Sequence, residues 1–345
     1  MIERLSRDRR AVAAAWALGL AIAVALPLRA SAYWEEVLIS AALFGLLAMG
    51  LNVVVGLAGL LDLGYVAFWA IGAYTVAIFS GAGPLKVFHL STWEILPLGV
   101  AFAMISGVVL GIPVLRLRGD YLAIVTLGFG EIIRITASNL DGITGGPRGV
   151  GGIPHPAIGG YDFGVNPVPY YYWVLATVLA MILVIRRLDR SRIGRAWVAI
   201  REDEVAAEAM GIDTFRMKLW AFAIGASTAG FAGVIQGSKI SYVSPASFQI
   251  IISILILSMV VLGGMGSTFG PILGAAVITI APELLREAQD YRFLLFGAVL
   301  VVMMIFRPQG LIPSRRVAAE QHGVGVAGEE KTGAEMGEGQ ADAAT

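Results

Sequence analysis

The sequence predicts an all-α fold, a polytopic membrane helix bundle of about ten transmembrane helices with both termini cytoplasmic. Three observations carry this reading. Hydrophobic residues make up 57% of the 345, charged residues only 14%, and the mean hydropathy is +0.77. An ordinary soluble domain is about a quarter charged, so the composition excludes a soluble globular enzyme. The 25 basic and 25 acidic side chains cancel, which argues against a nucleic-acid binder, because such domains carry a basic excess. The chain has no cysteine, which removes disulfide frameworks, thiol catalysis and zinc–thiolate sites.

A helix needs about 20 mostly apolar residues to cross a bilayer. Uncharged runs occupy 11–28, 37–61, 63–85, 95–115, 163–185 and 219–238. The basic start (Arg4, Arg7, Arg9, Arg10) followed by an 18-residue apolar stretch resembles a signal peptide, but its length and the many later spans favour a retained first helix. Between Lys239 and Glu283 lie 43 uncharged residues, enough for two helices, with the break expected at Gly263-Gly264-Met265-Gly266 and Pro271. Residues 293–306 form a shorter run that spans if Arg292 and Arg307 snorkel. Segment 121–138 is helical by periodicity although it carries Glu131 and Arg134. Together these make ten spans, and Gly225, Ala229 and Gly233 repeat at a spacing that lets helices approach closely.

Orientation follows from arginine and lysine, which concentrate on the cytoplasmic side. With ten spans and the N-terminus inside, 18 basic residues fall inside and six outside (Arg29, Lys86, Arg148, Lys239, Arg286, Arg292). A re-entrant 268–285 would give the poorer split of 16 to eight. The chain thus divides into a cytoplasmic N-terminus (1–10), a transmembrane domain (11–313) and a disordered cytoplasmic tail (314–345). From Glu320 onward that tail holds six acids and one lysine and cannot bury a core. The external loop 139–169 is rich in glycine and proline and long enough to be a structured lid or docking surface.

The cytoplasmic loop 186–218 concentrates eight of the basic residues. From 202 to 210 it reads as a short amphipathic helix, acidic at its start where the helix dipole favours acids, with Gly211 as its stop. Ala206, Ala207 and Met210 would share one side, suited to a groove on a partner. A surface helix at the lipid headgroups is the plainer alternative.

Within the spans, Glu131 and Arg134 stand at i, i+3 and can pair. A charge at the bilayer centre costs about 2.5–3.5 kcal/mol on insertion scales, so the two are either a mutually satisfied structural pair or a polar station on a translocation path. Asn52 is a further path candidate. Asp62 reads as part of an inner turn, and Asp120 as a cap for a helix beginning at Tyr121. The three histidines (89, 155, 322) are scattered, so no metal site is expected, and no catalytic residues or cofactor are expected either.

Several segments together carry a family resemblance. They are Gly119-Asp120-Tyr121-Leu122 through Glu131-Ile132-Ile133-Arg134, Thr144-Gly145-Gly146-Pro147-Arg148-Gly149, and Ala199 to Ile212. Gly263-Gly264-Met265-Gly266-Ser267 with Gly270-Pro271, and Phe306-Arg307-Pro308-Gln309-Gly310-Leu311, complete the set. From about residue 40 to 313 the chain resembles the branched-chain amino acid permease family, specifically the larger of its two paralogous subunits. The loop resembles the "EAA" loop of ABC-importer permeases, with Glu204, Ala206, Ala207 and Gly211 at fitting positions. The resemblance implies a second permease subunit (a paralogue or a second copy), two cytoplasmic ATPase subunits and an external, periplasmic substrate-binding protein. It makes Arg201, Glu202, Glu204, Ala206, Ala207, Glu208 and Gly211 the ATPase-coupling residues of an ATP-driven importer in the bacterial inner membrane.

The sequence agrees independently that an ATPase would be another chain. A phosphate-binding loop needs Gly-Lys-Ser/Thr, and none of the four lysines (86, 218, 239, 331) follows a glycine. The expected function is therefore import of branched-chain or related amino acids by alternating access. Alternatives are a permease for urea or short-chain amides of the same family and, in a different class, an ion-coupled secondary transporter. The latter needs an intramembrane ion relay, for which the spans offer little beyond Glu131 and Arg134.

Overall fold

A computed structural model of the chain describes residues 31–284 apart from 118, 159–160 and 165–166, together with 21, 23–28, 297–298, 301 and 310–312. Helix α1 (Ala32–Asn52) continues into a π turn (Val53–Leu57), so the expected run 37–61 is one rod with a changed winding at its end. After a connection comes α2 (Tyr65–Phe79), then α3 (Thr92–Val114) and α4 (Asp120–Asn139). A one-turn helix α5 (Asp141–Thr144) and strands β1 (Val150–Gly151), β2 (Ala157–Ile158) and β3 (Tyr161–Asp162) fill the following loop. Helix α6 (Pro167–Asp189) leads to α7 (Arg192–Glu202) and α8 (Glu204–Ala209). The chain then forms α9 (Thr214–Ile240), β4 (Tyr242–Val243), α10 (Ile250–Gly263) and α11 (Gly270–Leu284).

Among the described residues, six helical stretches are long and apolar enough to cross a membrane, and α2 and α11 are shorter apolar helices. Eight of the ten expected segments coincide with these; the first (11–28) and last (293–306) fall largely outside the described residues, as does the tail 314–345. The chain is thus a predominantly helical, multi-pass membrane protein.

Helix α9 occupies the centre, packed on α1, α2 and α3. Its small residues make this possible. A Cβ added to Gly233 would lie 2.7 Å from the Ala73 nitrogen, and one added to Gly230 would lie 2.7 Å from the Gly99 oxygen. On the facing side, a Cβ at Gly72 would meet the Gly230 backbone at 2.7 Å. Backbones in such contact gain dispersion energy without needing an apolar driving force, which lipid does not supply.

Helix α2 begins inside the bundle rather than at a surface, so its first N–H groups need protein partners. Leu63 N donates to Thr126 Oγ1 (3.0 Å), Gly64 N to Asp62 Oδ1 (2.9 Å) and Val66 N to Ser253 Oγ (3.1 Å). Asp62 lies in the connection, as expected for a turn, and is fully buried. Asp120 departs from expectation. The helix starts at Asp120 itself, Gly119 occupies the cap position at φ 59°, and no side chain caps it.

The break within 240–282 lies at the expected glycines. Gly264 and Gly266 have φ of 114° and 75°, a region that favours glycine. Gly263 and Gly270 pack back to back, so that a Cβ at Gly263 would lie 2.8 Å from Pro271 N. Pro271 does not itself break the chain. It stands at the second position of α11, where a missing N–H costs nothing. Residues 311 and 312 dock on this hairpin through Leu311 N to Leu262 O (2.8 Å) and Ile312 N to Gly263 O (2.9 Å).

The loop after α4 is built and anchored. Strand β1 pairs antiparallel with β4 (Val150 opposite Val243), and β2 pairs with β3. Gly152 N donates to Ser241 O (3.0 Å), His155 Nδ1 lies 2.9 Å from Ser238 O, and Trp93 Nε1 donates to Ala157 O (2.9 Å).

Candidate coupling site

The loop 186–218 folds as two short helices. The expected single helix over 202–210 is divided at Asp203, whose extended backbone (φ −155°, ψ 110°) ends α7 and caps α8. Its Oδ1 accepts from Val205 N (2.9 Å) and Ala206 N (3.0 Å). A carboxylate here satisfies two orphan donors and faces the positive end of the helix dipole. Ser191 caps α7 by accepting from Gly194 N (3.2 Å), and Asp213 caps α9 by accepting from Arg216 N (3.0 Å). Gly211 follows α8 at φ 84° and provides the expected stop.

Three side chains, Trp197, Glu204 and Glu208, tie this unit to the start of α9. Trp197 is fully buried, and its Nε1 donates to Met217 O (2.6 Å). Lys218, almost wholly buried, forms an ion pair with Glu204. Glu208 accepts from Thr214 Oγ1 (2.7 Å), closing the α8–α9 turn. A fourth contact points elsewhere: Arg201 Nη1 donates to Gly56 O in the π turn. Glu202 is exposed. A half-open cavity of about 240 Å³ lies between these tethers, lined by Gly59, Leu61, Asp120, Arg201, Glu204 and Lys218 among others.

The outward face of α8 differs in detail from the periodicity. Ala207 is buried, while Val205, Ala206 and Met210 are exposed, Met210 at 83%. Exposed apolar side chains on a helix held by buried Trp197, the Glu204–Lys218 pair and the exposed Arg201 form a firm patch.

The path candidates do not converge with one another: Asn52 lies beside the Gly56 and Gly266 backbone that Arg201 meets, while Glu131 and Arg134 stand apart on α4. Asn52 is buried, and its amide is engaged at both ends: Nδ2 donates to Ser267 O (2.9 Å) and Oδ1 accepts from Gly266 N (2.9 Å). Glu131 and Arg134 pair, with Arg134 Nε 3.0 Å from both carboxylate oxygens. Their side chains are 39% and 29% exposed on the outer face of α4. Among the described residues, no group of three His, Cys, Asp or Glu side chains could hold a metal ion.

Sequence reasoning missed Trp197, Lys218 and the Arg201–Gly56 contact. Trp197 is visible as the one tryptophan in a charged loop. The partners of Lys218 and Arg201 are set by tertiary approach and left no local signal.

Residues 33–306 match the family model described as the branched-chain amino acid transport system / permease component. The chain is 45% identical over 319 residues to the high-affinity branched-chain amino acid transport system permease protein LivM of Salmonella typhimurium. The match covers 86% of this chain and 74% of that protein. LivM of Escherichia coli K12 is 44% identical over the same shares, and LivH of that organism is 25% identical over 78% of this chain and 91% of its own length. No solved structure matches the chain. With a glycine-packed helical core, a capped and tethered loop, and a family match spanning most of its length, the chain belongs to the branched-chain amino acid transport permease family.

Proposed function

We propose that this chain is the permease subunit of an ATP-driven importer and forms part of the translocation path for branched-chain or related amino acids. The observation that carries the reading is loop 186–218: its α8 presents exposed Val205, Ala206 and Met210 while Trp197, Glu204–Lys218 and Arg201 fasten it to the transmembrane core. A patch so held transmits force, whereas a helix resting on lipid needs no such fastening. Arg201, Glu202, Glu204, Ala206, Ala207, Glu208 and Gly211 form the ATPase-coupling unit, with Arg201, Glu204, Ala207 and Glu208 holding it to the core and Glu202 and Ala206, beside Val205 and Met210, meeting the partner.

In the assembly, this chain pairs with a second permease subunit, two cytoplasmic ATPases bind from below, and an external binding protein docks on loop 139–169. Ten spans with both ends cytoplasmic, in a bacterial inner membrane, place the two loops on opposite faces. The names of the relatives favour branched-chain amino acids over urea or short amides. Proteoliposomes holding this chain, its partner permease and the ATPases, supplied with binding protein, are expected to take up radiolabelled leucine only when ATP reaches the ATPase face. Uptake driven by an ion gradient without ATP would refute the reading.

Asn52, Glu131 and Arg134 remain proposed path residues, and they separate by experiment. The pairing and partial exposure of Glu131 and Arg134 favour a structural role, since a path needs contacts weak enough to release its cargo. The double variant Glu131→Gln, Arg134→Met is expected to keep at least half the uptake rate; a loss of tenfold or more, at normal membrane abundance, assigns the pair to the path.

A further inference from the structure

We propose that Arg201 is a positioning residue that transmits motion of the α7–α8 loop to the end of α1, rather than a contact for the ATPase. The proposal rests on the coupling reading above and says how that loop reaches the core.

Four observations converge on this guanidinium. The first is its partner. In the π turn, Ala58 N bonds Val53 O (3.2 Å) and Leu60 N bonds Val54 O (3.0 Å), while Gly56 O takes Arg201. A carbonyl at a helix C-terminus has no intrahelical donor and sits at the negative end of the dipole, so a cation there makes a charge-assisted bond. The second is space. A Cβ at Gly59 (φ 71°) would lie 2.8 Å from Arg201 Cγ, and one at Gly266 (φ 75°) would lie 3.0 Å from Arg201 Nη1. Glycines above and below thus form a slot that the arginine fills.

The third observation is what the slot is attached to. Gly56 and Gly266 abut each other, for a Cβ at Gly56 would come within 2.5 Å of Gly266 N, and Asn52, one turn before Gly56, bonds Gly266 and Ser267. The hairpin containing Gly266 is also where residues 311 and 312 dock. Arg201 therefore grips the junction of α1 with the α10–α11 hairpin. The fourth is division of labour. Trp197, Glu204 and Glu208 tie the loop to α9, and among the tethers described Arg201 is the one that bonds the end of α1. Displacement of the loop would pull on α9 through three side chains and directly on the end of α1 through this one.

The π winding suits a moving element. A π turn is wider and less stable than an α turn and recurs at functional sites, so its carbonyls shift at lower cost than those of an α-helix. Losing the guanidinium would leave α8 able to dock and α9 able to follow, with the end of α1 losing its hydrogen-bonded link to the loop and responding through packing alone.

The test has two arms. In proteoliposomes of the complete importer, Arg201→Ala is expected to keep ATP hydrolysis within twofold of the parent while leucine taken up per ATP hydrolysed falls at least fivefold. The half-saturating leucine concentration is expected not to change, and Arg201→Lys, which keeps a donor and the charge, is expected to recover part of the ratio. An unchanged ratio, or a proportional fall of hydrolysis and uptake in Arg201→Ala and Arg201→Lys alike, overturns the proposal, the latter by making Arg201 a docking residue. In the second arm, spin labels are placed on cysteines at Met210 and Met265 of the full-length chain in nanodiscs, which is direct because the chain has no native cysteine. The inter-label distance distribution is expected to broaden in Arg201→Ala; an identical distribution overturns the tether. Should the assembled importer take up no branched-chain amino acid, the function reading fails and the spin-label arm decides the tether alone.

Discussion

Glu204→Lys is expected to abolish uptake while the protein still accumulates in the membrane. The substitution sets a second ammonium against Lys218, whose side chain is 7% exposed. Breaking a buried pair costs about 3–5 kcal/mol; with Glu204 28% exposed the cost here is at the lower end, enough to displace α8 without unfolding the bundle. Radiolabelled leucine uptake with immunoblotting of the membrane fraction reads both effects. The charge-reversed double variant Glu204→Lys, Lys218→Glu is expected to recover a substantial part of the rate, and failure to recover would mean that the pair is not what Glu204 contributes. Gly211→Asp is a milder lesion. Nothing lies within 4 Å of its Cβ position, so the variant strains only the φ 84° backbone, by about 1–3 kcal/mol.

Gly233→Leu is expected to remove the folded protein altogether. The nearest atoms to a Cβ there are backbone, with Ala73 N at 2.7 Å and Gly72 Cα at 3.0 Å, so no side chain can swing aside. α9 and α2 would have to separate along a contact where Gly72, Gly230 and Gly233 interleave. Overpacking a dense core costs about 1–3 kcal/mol when side chains can adjust, and more where backbone must move. Size-exclusion profiles of detergent-solubilised protein measure this, with loss of the monodisperse peak as the expected result. Gly128→Leu is the control, since nothing lies within 4 Å of its Cβ position; an equal loss there would show that the effect is not the close approach.

The apolar runs located the helices because lipid leaves the backbone few alternatives, and the small-residue spacing at Gly225, Ala229 and Gly233 lies on the closely packed central helix, Gly225 against α1 and its π turn and Gly233 against α2. Boundaries suffered where chemistry was local but ambiguous. Asp203 looked like one more acid in a helical start, yet as an N-cap it divides the segment and turns Ala207 inward. Asp120 resembled a cap and is the first helical residue instead. The site was half legible. Its residues lie in the expected loop, but the partners that give them meaning, Gly56 for Arg201 and Lys218 for Glu204, stand 145 and 14 positions away. No periodicity encodes such pairs. Asn52 shows the same limit, for its two bonds to the 266–267 backbone join positions 214 and 215 residues apart and leave no local signal.

The anchoring of the loop after α4 has a thermodynamic consequence. Antiparallel pairing of 150–151 with 242–243, the bonds from Gly152 and His155 to the end of α9, and the indole of Trp93 on Ala157 hold that surface from three directions. A mobile flap must lose backbone freedom each time something binds it, about 1–2 kcal/mol for every residue ordered. Here that entropy is lost once, during folding. A protein arriving at this face meets a rigid body, so the encounter carries little ordering cost, and its strength depends on shape and charge at the surface rather than on conformational capture.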